Sequence, residues 1–258
     1  LVPELNCEFM LDRLIEGNLF VSAVPGQIER WRYHPLFAEI LRTQLKRKRP
    51  EDFLRLHLAA AGWYEENKQI VPAIDHVIAG EDYPYAAQLL AEHAMHLLED
   101  GRIKLLARWF SFFPLEVLQQ HPVLLAVSLW VTTFTQGALQ AMRQSEQFFA
   151  FWPSENAQAQ IHLDALNCSW QFMLDKPAQA GAIGLKALSR MPTPEPYADN
   201  VLSISMALYF VQEGNRAAAN RLLNAARERQ GDAAFMRMFI ESAESEQDMQ
   251  DGRLKQAM

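Results

Sequence analysis

A short turn that returns at a nearly constant distance constrains this chain more than any other feature. The turns read Glu99-Asp100-Gly101, Thr135-Gln136-Gly137, Leu174-Asp175-Lys176, Gln212-Glu213-Gly214 and Gln250-Asp251-Gly252, and their last residues lie 36, 39, 38 and 38 positions apart. A small residue follows each turn within four to six positions: Ala107, Ala141, Ala180, Ala218 and Ala257. Prolines close several of the units, at Pro114, Pro153 and Pro192, with Gly231 in the matching place of the next. Between the turns, apolar residues recur at helical spacing, and no convincing strand pattern follows Glu51.

The period has a physical cause. A pair of amphipathic helices cannot bury both apolar faces alone, so successive pairs stack and share one continuous core. Glycine permits the tight turn inside a pair, and alanine a turn later lets the second helix approach the first. A period from the mid-thirties to about forty belongs to tetratricopeptide-type solenoids, whereas a closed bundle carries no fixed-period turns. Residues 49–258 are therefore predicted to be all-α, a right-handed α-α superhelix of tetratricopeptide-like pairs.

The first 48 residues follow a different pattern. Phe9, Met10, Leu14 and Ile15 fall at helical spacing, and Gly17 sits where a left-handed C-cap is expected. Leu19-Phe20-Val21 and Trp31-Arg32-Tyr33 are β-prone runs around a Pro25-Gly26 turn, which predicts a hairpin. Pro35 opens a second helix, with Leu36, Phe37, Ile40, Leu41 and Leu45 on one face. Helix, hairpin and helix make the closing half of a winged-helix domain over residues 1–48, whose opening helices would lie upstream. Beginning on Leu1 and ending inside an unfinished pattern, the chain reads as an internal piece of a longer protein.

Charge narrows the function. Residues 1–50 hold eight Lys/Arg against six Asp/Glu, and residues 51–258 hold 16 against 25. The long acidic part is a poor surface for the DNA polyanion. The run Lys46-Arg47-Lys48-Arg49 reads as cations at a helix C-terminus, where the dipole favours them, rather than as a nucleic-acid contact. No apolar run reaches the roughly 18 residues that span a bilayer, and no signal segment opens the chain. Cys7 and Cys168 form neither a disulfide framework nor a metal motif, which fits a reducing, cytoplasmic setting.

Three blocks carry a family resemblance. Arg32 to Leu45, "RYHPLFAEILRTQL", is similar to the winged-helix end of MalT-like, LuxR-type bacterial transcription activators, which are ATP-dependent signal-transduction ATPases. In "LHLAAAGWYEENKQIVPAIDHVIAGED", Leu56, His57, Ala60, Ala61, Trp63, Tyr64, Ala73, Ile74, His76, Ala79, Gly80 and Asp82 match that family's first helical repeat. A third block, "RIKLLARWFSFFPLEVLQQHPVLLAVSLW", continues the match through Trp109, Pro114, Pro122 and Trp130. The resemblance covers about residues 1–150, and beyond that only the repeat period supports it.

The resemblance implies four parts in such proteins: a nucleotide-binding module, a winged helix, a helical-repeat sensor arm and a terminal DNA-binding helix-turn-helix. This sequence contains no G-x-x-x-x-G-K-[ST] loop and no recognisable helix-turn-helix. ATP/ADP and DNA are thus expected to act through other parts of the full-length protein, and no enzyme activity or cofactor is expected of this region. The implied role is a sensor that answers a small-molecule inducer or a protein effector and governs self-association, as family members answer a small sugar through their repeats. The alternative is a protein-interaction scaffold of tetratricopeptide type.

His34, in Tyr33-His34-Pro35, stands where related switch ATPases such as plant immune receptors carry Met-His-Asp, whose His touches the ADP phosphate. The resemblance therefore makes His34 a nucleotide-phosphate sensor in the full-length protein, although Tyr33 replaces Met and Pro35 replaces Asp. His93 and His96 share a helix face beside Glu92, but zinc needs three or four ligands, so no metal site is expected. His57 and His76 are expected to pair helices within the first repeat, and Trp63, Tyr64, Trp109 and Trp130 to wedge between helices. Trp170 lies six residues before its turn, on the first helix of a pair. Placed toward the concave side, it is the effector-binding candidate, against the plainer reading of a core residue. No nucleophile-base or paired-carboxylate arrangement with usable spacing appears.

Overall fold

The computed structural model of the chain describes residues 6–17, 19–24, 31–148, 156–230, 234–250 and 252. These residues are all-α apart from one two-stranded ribbon. They divide into two compact units, Leu1–Ala86 and Ala87–Met258.

In the first unit, α1 (Cys7–Glu16) starts where the Asn6 side chain accepts the Phe9 N–H at 3.1 Å. Gly17 does not take the expected left-handed cap. It keeps φ −76° and bonds back to Arg13, and the left-handed residue is Phe20 at φ 56°. The hairpin pairs β1 (Val21–Ala23) with β2 (Trp31–Tyr33) in antiparallel register, with Ser22 opposite Arg32. Leu19 and Phe20 precede the strand that the sequence assigned to them, and the expected Pro25-Gly26 turn lies outside the described residues. Pro35 opens α2 (Pro35–Lys48) at its first turn, as expected. The apolar face of α2 is open: Leu36 is 66% and Ile40 53% exposed. Its last turn holds Lys46, Arg47 and Lys48, where the helix dipole favours cations. Lys46 pairs with Glu81 at 3.3 Å and lies 5.5 Å above the Phe53 ring.

The first unit also holds α3 (Pro50–Glu66) and α4 (Ile70–Ala79), a helix pair packed through fully buried Ala61, Ala73 and Ile74. Its turn uses Lys68 at φ 57° in the left-handed region, so a search for recurring glycines passes it by. The helix α5 (Tyr83–Glu99) runs from the first unit into the second.

The second unit continues with α6 (Ile103–Phe110), a short α7 (Leu115–Leu118), α8 (Pro122–Gln136), α9 (Ala138–Phe148), α10 (Ala157–Met173) and α11 (Pro177–Leu188). It ends with α12 (Pro196–Gln212), α13 (Arg216–Gln230) and α14 (Ala234–Gln250). The turns fall where the period placed them, with Gly101, Gly137, Gly214 and Gly252 at φ 69°, 88°, 75° and 73°. That region is free to glycine and costly to other residues. One register detail differs: the left-handed residue of the third turn is Asp175 at φ 57°, and Lys176 is the N-cap of α11.

The small residues act as expected at Ala141 and Ala180, both fully buried, and at Ala218, 8% exposed. Ala107 is half-buried and leaves the core position to its neighbour Leu106. Pro153, Gly231 and Ala257 lie outside the described residues. Within the unit the first helices of successive pairs form one layer, with α10 packed on α8 and α12, and α12 on α14. The second helices α11 and α13 each pack on their own first helix and on the next one. This serial stacking is the tetratricopeptide-like arrangement.

Candidate functional site

The layer of first helices encloses an apolar groove of about 240 Å³. Trp130 and Phe134 come from α8, Ser169, Phe172 and Met173 from α10, Val201, Ile204, Ser205 and Leu208 from α12, and Phe239 from α14. The helical repeat explains the convergence. Residues four apart, such as Trp130 and Phe134, or Ile204 and Leu208, share one helix face. Phe134 meets Phe235 and Phe239 with ring centroids at 5.5 and 5.6 Å, so aromatic contacts tie α14 to α8 across the groove.

Behind its wall, Trp130 belongs to a buried hydrogen-bonded chain. Its Nε1 donates to Nδ1 of His162 at 3.2 Å, and Nε2 of His162 lies 3.1 Å from a Glu195 carboxylate oxygen. An indole N–H can only donate, so Nδ1 is the acceptor and Nε2 carries the proton directed at Glu195. The His162 side chain is fully buried, and that of Glu195 is 13% exposed. Burial alone would raise the Glu195 carboxyl, but hydrogen bonds from His162 and Gln158 outweigh it and leave the group below the usual carboxylate range. Nearby Glu99 is shifted the other way, chiefly by burial, with Asp100 and Glu195 adding to the rise. Tyr197 completes the cluster edge-on to Trp130, with centroids at 5.3 Å, and burial together with Glu99 holds its hydroxyl protonated. The chain fixes the rotamer of Trp130 and so presents its ring as a set wall of the groove.

Trp170 follows the plainer of its two readings, that of a core residue. It is fully buried, and its Nε1 donates to Oγ1 of Thr133 at 2.8 Å, so it packs between α10 and α8 rather than facing the groove. Its neighbours Ser169, Phe172 and Met173 line the groove instead. His34 is the N-cap of α2 and exposed. Its backbone N–H donates to the Phe20 carbonyl at 2.6 Å, and its side chain makes no capping bond.

His57 and His76 meet as the sequence suggested, Nδ1 to Nδ1 at 2.9 Å, joining α3 to α4. Tyr64 stacks on His76 at 5.3 Å and Phe53 packs against His57 at 4.5 Å. Trp109 and Trp130 are core wedges, each 1% exposed, whereas Trp63 is a correction: it is 45% exposed and rests edge-on against Tyr64. His96 pairs with Asp100 at 3.7 Å. No three metal-ligating side chains come together among the described residues. Cys168 is buried against Met206, and burial pushes its thiol up to about 12, which makes it unreactive.

Sequence reading did not single out His162, Glu195, Phe134 or Phe239. The aromatic pair of α8 at i, i+4 was the one local signal available.

Comparison with known proteins agrees with this architecture. The family described as MalT winged helix domain matches residues 1–53. The chain is 27% identical over 208 residues to the HTH-type transcriptional regulator MalT of Serratia proteamaculans, covering 76% of this chain and 22% of that protein. It is 26% identical over 207 residues to the regulator of the same name from Yersinia enterocolitica, again 76% of this chain and 22% of the relative. That of Yersinia pestis is 28% identical over 131 residues, 51% of this chain and 14% of the relative. The chain thus spans about a fifth of the length of the first two. No solved structure matches it. No described helix is long and apolar enough to cross a membrane. The winged-helix match and these relatives make the chain similar to MalT-like transcriptional regulators, with the family model itself confined to the first 53 residues.

Proposed function

We propose that this chain is the sensor region of a LuxR-type, MalT-like regulator and that the groove between α8, α10, α12 and α14 receives its effector. The observation that carries this reading is the convergence of four successive first helices on one cavity, so a bound molecule touches several repeats at once. An effector that binds one conformation better shifts the balance toward it. In the full-length regulator that balance lies between a closed, ADP-bound form and an open, self-associating form, in the cytoplasm, with DNA read by a separate helix-turn-helix. The region itself catalyses nothing.

His34 then senses the nucleotide phosphate from the start of α2. In the longer regulator, His34→Ala removes a hydrogen bond to a charged acceptor, worth about 1.5–3 kcal/mol. The closed-to-open ratio should fall roughly 10- to 160-fold, read as weaker ADP retention and partly inducer-independent transcription. Unchanged ADP affinity would reject the role.

The rival reading, a scaffold for a protein partner, draws support from the open apolar side chains of the first unit, Phe9, Phe20, Leu36 and Ile40. A thermal-shift screen against small metabolites separates the two. Saturation at 100 times the dissociation constant adds about 2.7 kcal/mol to stability. A chain that answers no small molecule but is stabilised by a protein partner is a scaffold.

A further inference from the structure

We infer that the groove selects an uncharged ligand of one or two aromatic rings, and not a sugar. The inference rests on reading the groove as the effector site. Its wall is made by the rings of Trp130, Phe134, Phe172 and Phe239 together with aliphatic side chains and Met173. Among the described lining residues there is no Asp, Glu, Lys, Arg or His, and the hydroxyl-bearing ones are Ser169 and Ser205. The indole N–H of Trp130 is already given to His162, so toward the groove this residue offers only its ring.

Charge decides first. A carboxylate or ammonium entering here would lose its water shell with no counter-charge to meet it. Hydrogen-bonding capacity decides next. Every ring of a sugar brings several hydroxyls, two serines cannot partner them all, and each polar group left unpaired opposes binding. Size and shape then select among apolar ligands. A dry apolar cavity of about 150 Å³ is known to hold benzene, so about 240 Å³ suits somewhat more than one ring. Trp130 and Phe134 lie nearly parallel, 18° apart with centroids at 6.2 Å, and Phe239 is tilted 36° to Phe134. These set faces and edges favour offset or edge-to-face contact with a flat ring, and the thioether of Met173 suits a ring edge. Because the Trp130–His162–Glu195 chain holds the main wall in place, little ordering remains to be done on binding. Ser169 and Ser205 leave room for one or two polar atoms on an otherwise apolar molecule.

Isothermal titration calorimetry of the whole 258-residue chain tests this with three probes: naphthol, its charged analogue naphthoate, and a linear glucose trisaccharide. The expected result is saturable one-to-one binding of naphthol, with no measurable binding of the other two. Met173→Trp should abolish naphthol binding by filling the groove mouth, and since Met173 is 55% exposed the fold should tolerate it. Circular dichroism checks this, and Ser169→Phe serves as a second filling variant. Naphthol bound equally by wild type and both folded variants would place its site elsewhere and overturn the inference. Trisaccharide or naphthoate bound in preference to naphthol, and lost in the filled variants, would overturn the ligand class but leave the effector groove standing. A groove that takes none of the three while another metabolite stabilises the chain in both filled variants would overturn the inference and the groove reading together.

Discussion

His57 and His76 can share only one hydrogen at their 2.9 Å contact, since one Nδ1 donates and the other accepts. Burial is the main reason both lie below the ordinary histidine value. For His57, His76, Arg42 and Lys46 add to the lowering; for His76, Arg42 adds to it and Asp75 opposes it. An unfolded chain takes up protons from about pH 6.5 downward, while the folded pair resists until lower pH. The unfolded state therefore binds more protons in that window, and stability is full above about pH 6.5 and falls as pH drops toward the folded values. Denaturant midpoints measured from about pH 7.5 to about pH 5 should show this decline. Replacing both histidines by Phe should flatten it, and a full slope in the double variant would assign the effect to other groups. Tyr85 works at the same scale: its hydroxyl donates to Glu65, which ties α5 to α3 and raises the phenol to about 12, so it does not titrate in the same range.

At the scale of elements, α11 approaches its neighbours through two glycines. A Cβ added at Gly184 would lie 2.0 Å from Sδ of Met206 and 2.9 Å from Sγ of Cys168, and one at Gly181 would lie 2.5 Å from the Tyr209 ring. These glycines let α11 rest directly on α10 and α12, a role the sequence reading had given to Ala180 alone. Gly184→Ala therefore sets two effects against each other. Helix propensity favours Ala by about 1 kcal/mol, and overpacking a filled core costs about 1–3 kcal/mol. Met206 is fully buried, so any shift of its thioether must displace packed neighbours, and the clash should win. Thermal unfolding should register a net loss of up to about 2 kcal/mol. A variant as stable as wild type would mean that Met206 repacks freely.

For the molecule as a whole, stability should be uneven. In α8, ten residues from Leu124 to Thr133 are buried, whereas α2 buries none. Local opening is easiest where few apolar contacts must be broken. Native-state hydrogen exchange should accordingly protect the amides around Trp109 and Trp130 far longer than those of α2 and the hairpin. Equal protection would show that the apolar face of α2 is covered in solution, through Leu36 and Ile40, as the scaffold reading requires.

The sequence by itself determined the repeat, the all-α class and the helix–hairpin–helix opening, because these depend on local chemistry. A left-handed turn needs Gly or a tolerant residue such as Asp175, an amphipathic helix needs its period, and a proline at a first turn costs no hydrogen bond. Even the His57–His76 contact was legible, since both ends lie in one helix pair. The groove was not. Trp130 meets His162 across 32 residues, and His162 meets Glu195 across 33. Trp170 and Trp130 are both buried tryptophans on first helices, yet the ring of one lines the groove while the other spends its N–H on Thr133 in the core. Helical periodicity separates a buried face from an exposed one, but not two neighbouring strips of a buried face. That choice rests on how α8, α10, α12 and α14 register against one another, a property of stacking that no single helix carries.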